Sequence, residues 1–248
     1  MTLHFLMLLV LGAALGGFMN GLAGFGTALF ALGFWLQIMP PVQAVSIVAL
    51  MAFTAGIQGI WLVRRSILNQ PARLARFLLP ALAGVPFGVA LLTIVQPNVL
   101  KLVIAGFLIL YGGFFTFRAA LPKLERSTPI IDGAVGFLSG IMGGAASLSG
   151  ALLTMWCALR PWPKAETRAV FQPFNLTVTG ITSLVFAIKG SYTLESLSYI
   201  AVALPVVMVF AQIGIAVFKR LTDDQFRRLL IGMMFVSGIV LMVRELAF

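Results

Sequence analysis

Two long apolar segments of this chain are each interrupted by a cluster of glycines, and the two clusters match in spacing. They lie within residues 16–27 and 136–147. At a constant offset of 119 residues, three glycines of the first match three of the second: Gly17, Gly21 and Gly24 against Gly136, Gly140 and Gly143. Glycine can break a membrane helix where the freed backbone groups are buried in protein or line a watery cavity. A pair of such breaks in the two halves of an apolar chain is typical of membrane carriers, with the binding site between them.

The composition restricts the chain to membrane helices. Hydrophobic residues make up 60% of its 248 positions and charged residues only 10%, against about 25% charged in an average soluble domain. Since a membrane-spanning helix needs about 20 apolar residues, there is room for about eight and for no soluble domain. The chain has one histidine, His4, and one cysteine, Cys157, so we expect no metal site, no cofactor and no catalytic residues. The sequence contains no P-loop, which argues against ATP hydrolysis.

Eight apolar runs are separated by short polar segments. We place the runs at residues 3–38, 42–63, 74–95, 99–117, 129–158, 169–188, 197–218 and 229–247. The polar segments include a predicted loop at 64–76, a turn at 160–164 and a helix cap at 221–224. Further matches between the halves keep their order while the offset drifts to 126 residues, as for Gly88 and Gly214. This pattern predicts a duplication within one membrane domain, with repeat 1 over residues 1–121, a linker over 122–129 and repeat 2 over 130–248.

The positions of the basic residues distinguish two topologies. If all eight runs crossed the membrane once, the 17 lysines and arginines would divide nine against eight. If both glycine-broken runs enter and leave on the same side, 14 collect on one side and three on the other, namely Lys101, Lys189 and Arg244. Because cytoplasmic loops are enriched in lysine and arginine, the second topology is strongly favoured. The same bias accounts for most of the net charge of +10, and part of that charge can also attract anions.

The favoured topology gives each half three single spans and one hairpin, so the halves are inverted with respect to each other. The predicted fold is an all-α integral membrane protein of two inverted repeats, each a glycine-broken re-entrant-type helical hairpin plus three transmembrane helices. A single long tilted helix at each broken run is the alternative. Both ends of the chain would face away from the cytoplasm, and four basic segments would be cytoplasmic: residues 64–76, 122–129, 161–164 and 219–228.

The second arm of each predicted hairpin begins beside its glycine cluster. The unpaired N–H groups and positive potential of a helix N-terminus bind anions, and nearby hydroxyl and amide groups can add neutral donors. The candidate residues are Asn20, Gly21, Gly24, Gly26 and Thr27 in the first segment and Ser139, Gly143, Gly144, Ser147 and Ser149 in the second. Close helix packing is the alternative, because the glycines also form small-xxx-small patterns. The two interpretations are compatible.

A second group of candidates shares one helical face: Arg168, Gln172 and Asn175, at spacings i, i+4 and i+7. A polar stripe entering an apolar span is costly unless it lines a cavity or finds partners, and the planar guanidinium of arginine suits a tetrahedral oxyanion. The repeat-mates of the first two residues, Ile47 and Met51, are apolar, so the stripe is not a packing device common to both halves. The alternative is an arginine that reaches the membrane surface, with helix-capping amides beside it.

Taken together, these features resemble the TauE/SafE family of sulfite-exporter-like transporters. The likeness covers nearly the whole chain, with two related halves and a glycine-rich motif in the first segment of each. The family motif has more consecutive glycines than residues 25–27 and 144–146 of this chain, a difference that substrate size can explain. The resemblance implies transport of sulfur oxyanions or organosulfonates, such as sulfite and sulfoacetate, or of small carboxylates, across the bacterial inner membrane.

We therefore expect a multi-pass secondary transporter of the bacterial inner membrane that works as an exporter. Its anion would bind near the midplane, between paired helix N-termini and the polar face that begins at Arg168. The expected partners are a small anionic substrate and membrane lipid, with no nucleic acid, and a homodimer is compatible with the sequence. The alternatives are an anion channel, a carrier of small carboxylates and a non-transporting sensor or subunit. A membrane-embedded enzyme is disfavoured, because the spans carry no paired cysteines, histidines or buried acids.

Overall fold

Helices make up most of the chain. The computed structural model describes residues 2–69, 71–94, 102, 105, 106, 109, 113, 124 and 126–247. Within these residues there are helices and no strands, and the all-α prediction is confirmed. The helices with complete bounds are α1 (Leu3–Ala23), α2 (Thr27–Trp35), α3 (Pro41–Asn69), α4 (Pro71–Ile94), α5 (Pro129–Ala146), α6 (Ser149–Ala158), α7 (Lys164–Ile188), α8 (Leu194–Arg220) and α9 (Asp223–Ala247). The predicted run at 99–117 lies almost wholly outside the described residues.

Six of these helices are long and apolar enough to cross a membrane: α1, α3, α4, α5, α7 and α8. Large apolar side chains on their outer faces are more than half exposed, for example Trp61, Leu79, Phe87 and Leu184. An apolar surface of this extent is far larger than a soluble monomer tolerates. The protein is therefore a multi-pass membrane protein.

Both glycine-broken runs are interrupted where the sequence predicts a break. In the first, α1 ends at Ala23 and is capped by Gly24, whose φ of +84° is left-handed and whose backbone N–H donates to the carbonyl of Asn20 over 2.7 Å. Gly26, with a φ of +99°, precedes the first residue of α2. In the second, Ser147 takes the left-handed conformation at the end of α5, with a φ of +55°. Each reversal therefore passes through a left-handed backbone conformation. Glycine adopts this conformation without strain in the first break, whereas Ser147 adopts it with strain in the second.

The short helix after each break folds back along the long helix before it. The indole N–H of Trp35, at the end of α2, donates to the carbonyl of Leu9 near the start of α1 over 3.1 Å. A Cβ atom on Gly16 would lie 3.0 Å from the Thr27 carbonyl, so small residues on α1 make room for α2. We call the α1–α2 pair the first hairpin and the α5–α6 pair the second hairpin. Their tips are residues 24–26 and 147–148.

In the second hairpin an acidic residue at the start of α5 holds the end of α6 against it. The indole N–H of Trp156, near the end of α6, donates to the carboxylate of Asp132 in the first turn of α5 over 2.6 Å. At the tip end, a Cβ atom on Gly143 would lie 2.9 Å from the Cβ of Ser149. The contacts at both ends show that α6 runs antiparallel to α5.

Each long hairpin helix packs through glycines against a helix that is distant in sequence. A Cβ atom on Gly17 would lie 2.5 Å from the Val207 carbonyl, and one on Gly21 would overlap the Ala211 backbone, so α1 lies directly on α8. On the other side of the molecule, α5 packs on α4 in the same way: Gly136 lies on Phe77 and Gly140 on Ala81. Residue numbers rise together along both pairs, so the paired helices are parallel. Close backbone approach of this kind matches the packing interpretation of the small-xxx-small patterns.

Helices α3 and α7 cross antiparallel between these two pairs. A Cβ atom on Gly56 would lie 3.0 Å from the Leu176 side chain, whereas one on Gly180 would lie 2.9 Å from the ring of Phe53. Most of α7 is buried, including the rings of Phe171 and Phe174. This helix therefore forms the centre of the molecule, with both hairpin tips beside it.

One predicted loop is wrong. Residues 64–76, taken as a polar connection, are helical on both sides of residue 70: α3 continues to Asn69 and α4 begins at Pro71. Arginine has a high helix propensity, and proline is favoured at the first position of a helix, so the charges extend the helices rather than end them. The predicted cap of the last helix is confirmed, since Thr222 and Gln225 form a reciprocal capping box over 2.9 and 3.2 Å.

Candidate functional site

The polar stripe of α7 is wholly inside the protein. Arg168 and Gln172 are 0% exposed and Asn175 is 3% exposed. The alternative of an arginine that reaches the membrane surface is therefore wrong. Counted at 1.5 Å per residue, the three positions lie in the first half of this 25-residue helix, and Asn175 is close to its middle.

Arg168 binds the C-terminal end of α1. Its Nη1 donates to the carbonyl of Leu22 over 3.1 Å and its Nη2 to the carbonyl of Gly21 over 2.7 Å. The guanidinium also stacks 4.3 Å from the ring centre of Phe218. These carbonyls have no intrahelical donors because α1 ends here, and a cation at a helix C-terminus also offsets the helix dipole. The Nε–H group has no hydrogen-bond partner among the described residues.

Gln172 lies against the first tip. Its Nε2 donates to the carbonyl of Gly56 in α3 over 2.9 Å. Its Oε1 is buried without a described partner, and a Cβ atom on Gly24 would lie 2.7 Å from it. Glycine is thus required at position 24 twice over, by its positive φ and by the closeness of this amide.

The rest of the first tip is tied to α3. The amide nitrogen of Asn20 donates to the hydroxyl of Thr27 over 2.9 Å and to the carbonyl of Ala52 over 3.3 Å. This amide therefore connects the end of α1 to the start of α2. No side chain caps the N-terminus of α2, which begins after Gly26.

The second tip is tied to α7 through Asn175. The hydroxyl of Ser149, the first residue of α6, donates to Asn175 Oδ1 over 2.6 Å. The Nδ2 of Asn175 is buried and has no partner in the part of the chain that the structure describes. A Cβ atom on Gly143 would overlap a methyl of Val178, so this glycine also faces α7. The hydroxyl of Ser147 donates to the Val45 carbonyl over 3.4 Å.

The two tips touch each other. A Cβ atom on Gly150, in the first turn of α6, would lie 2.5 Å from Cγ of Phe25 in the first tip. The ring of Phe25 also packs edge-on against Phe171 of α7, with 5.8 Å between the ring centres. The N-termini of α2 and α6 therefore converge beside the polar stripe.

Three of the predicted residues lie apart from this convergence or face away from it. The α-carbon of Gly21 packs on α8 and that of Gly144 packs on α4, so these glycines serve helix packing. Ser139 is buried in α5 with its hydroxyl unpartnered among the described residues. The other ten predicted positions contribute to one of the tips or to the stripe.

The comparison with known proteins settles the class of the protein. A model of the Sulfite exporter TauE/SafE family matches residues 8–241, which is most of the chain. The chain belongs to this family. This TauE/SafE family protein is therefore a membrane transporter of sulfur anions and not an enzyme. No curated protein and no solved structure matched the chain in the other two comparisons.

The TauE/SafE protein also contains a buried ion pair that the sequence did not reveal. Arg160 and Asp132 are 4% and 6% exposed, and Nη2 of the arginine lies 3.0 Å from Oδ1 of the carboxylate. Arg160 donates as well to Thr128 and to the carbonyls of Leu124 and Arg126. The pair closes the open end of the second hairpin. Among the described residues, no group of histidine, cysteine and acidic side chains could hold a metal ion.

Replacing Asp132 by alanine should lower the free energy of unfolding by about 3–5 kcal/mol, because the Arg160 charge stays buried without its carboxylate. The measurement is denaturant unfolding in detergent, followed by tryptophan fluorescence. Glu166→Ala is the matched control: it breaks a 2.7 Å pair with Arg73 whose side chains are 36% and 23% exposed, so about 1 kcal/mol or less should be lost. Equal losses in the two variants would contradict this account.

Proposed function

We propose that this TauE/SafE protein exports small sulfur oxyanions or organosulfonates, such as sulfite or sulfoacetate-like anions, across the bacterial inner membrane. The anion would bind where the two hairpin tips meet beside α7. The observation that carries the proposal is the state of Arg168: it is fully buried, and no carboxylate pairs with it among the described residues. A buried charge without a counter-ion is costly, and an anionic substrate would supply the missing charge.

The neighbouring groups supply hydrogen-bond donors to the same anion. The N-termini of α2 and α6 have no side-chain caps, so their first N–H groups are available to a ligand. Two of the five N–H groups of Arg168 donate to carbonyls of α1, and its Nε–H has no partner among the described residues. The amide N–H groups of Asn175 also have no described partner. A set of donors with no acidic side chain suits a sulfite or sulfonate group, whose oxygens only accept.

The proposed mechanism is alternating access between two inverted repeats, residues 1–121 and 130–248, joined by a linker at 122–129. Helices α3 and α7 would be repeat-mates in this arrangement, and their antiparallel crossing supports it. Each hairpin packs along a helix of the other repeat, α1 on α8 and α5 on α4. We propose that the hairpins are re-entrant, and that rocking of one repeat against the other exposes the tips to either side in turn.

Counterflow in proteoliposomes tests the proposed function. Vesicles loaded with unlabelled sulfite should accumulate labelled sulfite transiently, and sulfoacetate in the lumen should substitute for sulfite. Small carboxylates as competitors define the anion class. A channel would give uptake that neither saturates nor responds to counter-substrate, and transport of carboxylates alone would overturn the sulfur-anion proposal.

The topology proposal makes a prediction of its own. Single cysteines placed at Arg65 or Arg220, in a Cys157→Ala background, should not react with a membrane-impermeant maleimide in intact cells, and should react after permeabilisation. A cysteine at Ser191, between α7 and α8, should react in intact cells and is the matched control. The reason is the distribution of 14 basic residues on one side and three on the other. Labelling of the Arg65 position in intact cells would contradict the inverted arrangement.

A further inference from the structure

An open cavity of about 470 Å³ lies at the basic end of the molecule, outside the site between the tips. It lies where the start of α4, the segment before α5 and the turn after α6 come together. Its lining includes three arginines and one carboxylate: Arg73, Arg76, Arg160 and Asp132. The transport site proposed above does not use any of these side chains.

Two of the three arginines are held in place by carboxylates and aromatic rings. Arg73 pairs with Glu166 over 2.7 Å and stacks 4.1 Å from the ring centre of Trp162. Arg160 pairs with Asp132 and donates to backbone carbonyls. These pairs cancel most of the charge of the two arginines but fix one wall of the cavity, so their guanidinium groups are preorganised.

Arg76 supplies the excess positive charge. It is exposed, and its described contact is a hydrogen bond from Nη1 to the hydroxyl of Ser127 over 3.0 Å, with no ion pair among the described residues. Arg73 and Arg76 are three residues apart and so lie on the same face of α4. The first turn of this helix, Pro71 and Ala72, lines the cavity too and carries no acidic residue. The positive end of the helix dipole therefore adds to the charge of Arg76.

Two exposed apolar side chains lie within three positions of residues that line the cavity. Ile130 in the first turn of α5 is 87% exposed and Leu79 of α4 is 66% exposed. An amphiphile could therefore place its charged group in the cavity and its chains along these side chains. A free oxyanion would use the same charged groups without the apolar surface.

We propose that this cavity binds a phosphate-type or sulfur-type oxyanion group through Arg73, Arg76 and Ser127. The group can belong to the headgroup of an anionic phospholipid, since basic pockets at the cytoplasmic ends of membrane helices bind such headgroups. It can also belong to a free oxyanion that gathers there. The binding chemistry is the same in both cases, and the two sources differ in whether an acyl chain is needed.

The test compares Arg76→Ala with Arg220→Ala, which removes one exposed charge at the end of α8 outside the cavity. Purified full-length protein is placed in phosphatidylcholine nanodiscs with increasing phosphatidylglycerol, and separately in pure phosphatidylcholine with inorganic phosphate or sulfite. Binding is followed by native mass spectrometry for the lipid and by thermal shift for the free anions. Arg76 makes few protein contacts, so its removal should leave the protein folded.

Arg76→Ala should weaken binding about fivefold, the contribution of one arginine near a membrane surface, and Arg220→Ala should not. Loss confined to phosphatidylglycerol identifies a lipid headgroup as the ligand, whereas loss confined to phosphate or sulfite identifies a free oxyanion. The proposal fails if the wild type binds neither, or if Arg220→Ala loses as much as Arg76→Ala. Sulfite can also bind between the tips, so binding at the cavity is the part of each signal that Arg76→Ala loses and Arg220→Ala keeps. Equal signals in the two variants overturn the cavity proposal and leave the site between the tips untouched.

Discussion

Replacing Gly143 by leucine should abolish transport and leave the protein in the membrane. This glycine lies where α5 approaches α7: even a Cβ atom would overlap a methyl of Val178 and would lie 2.9 Å from the Cβ of Ser149. A leucine would push the second tip away from Asn175, and a displacement of about 1 Å at a binding site can cost about a hundredfold in rate. Sulfite counterflow in proteoliposomes is the measurement.

Gly33→Leu is the matched control for this experiment. Gly33 also belongs to a short hairpin helix, α2, but among the described residues no atom outside the backbone of its own helix lies within 4 Å of a Cβ built there. Transport by Gly33→Leu should remain close to that of the wild type. If Gly143→Leu transports normally and its reconstituted amount equals that of Gly33→Leu, the second tip does not line the route.

Replacing Arg168 by alanine should weaken binding of sulfite by about ten- to a hundredfold. One charge-assisted contact contributes about 1.5–3 kcal/mol, and the loss should be smaller for Arg168→Lys, which keeps the charge but not the planar fork. Asn175→Ala, which removes a neutral donor, should cost less than Arg168→Ala. Affinities are measured on monodisperse protein by isothermal titration calorimetry.

Loss of Arg168 should also destabilise the protein, because the carbonyls of Gly21 and Leu22 lose their donors. Trp35→Phe controls for this effect: it removes a buried hydrogen bond to Leu9 at the other end of α1 and leaves the stripe of α7 intact. The control should lower the melting temperature with little change in affinity. Unchanged affinity in Arg168→Ala would make this residue a structural clamp on α1 and leave the tips as the anion site.

The sequence predicts the helices and their breaks well, because both depend on local patterns. Glycine spacing places the two breaks, whereas the topology that follows from the charge of the loops stays a prediction. Residues 64–76 show where a local argument fails: arginine marks a loop by its polarity but is also a good helix former, and the structure continues both helices into it.

The partners of the polar side chains could not be predicted, because they lie far away in the sequence. Arg168 meets carbonyls 146 and 147 positions before it, and Gln172 meets Gly56 across 116 positions. The sequence shows that Arg168 enters an apolar span and therefore needs partners. The sequence does not show that two of these partners are carbonyls of α1. Because they bind both Nη atoms, fewer N–H groups of the guanidinium are available to a substrate.

The glycine contacts of α1 also bear on how the chain is made. Residues 17 and 21 lie against residues 207 and 211, so α1 can meet this packing partner only after about 190 further residues have been synthesised. Until then the face of α1 that carries Gly17 and Gly21 has no α8 to pack on, although α1 can already pack on α2 and α3. A chain truncated before α8 would therefore keep the contacts of α1 with α2 and α3 but leave its Gly17–Gly21 face without a partner.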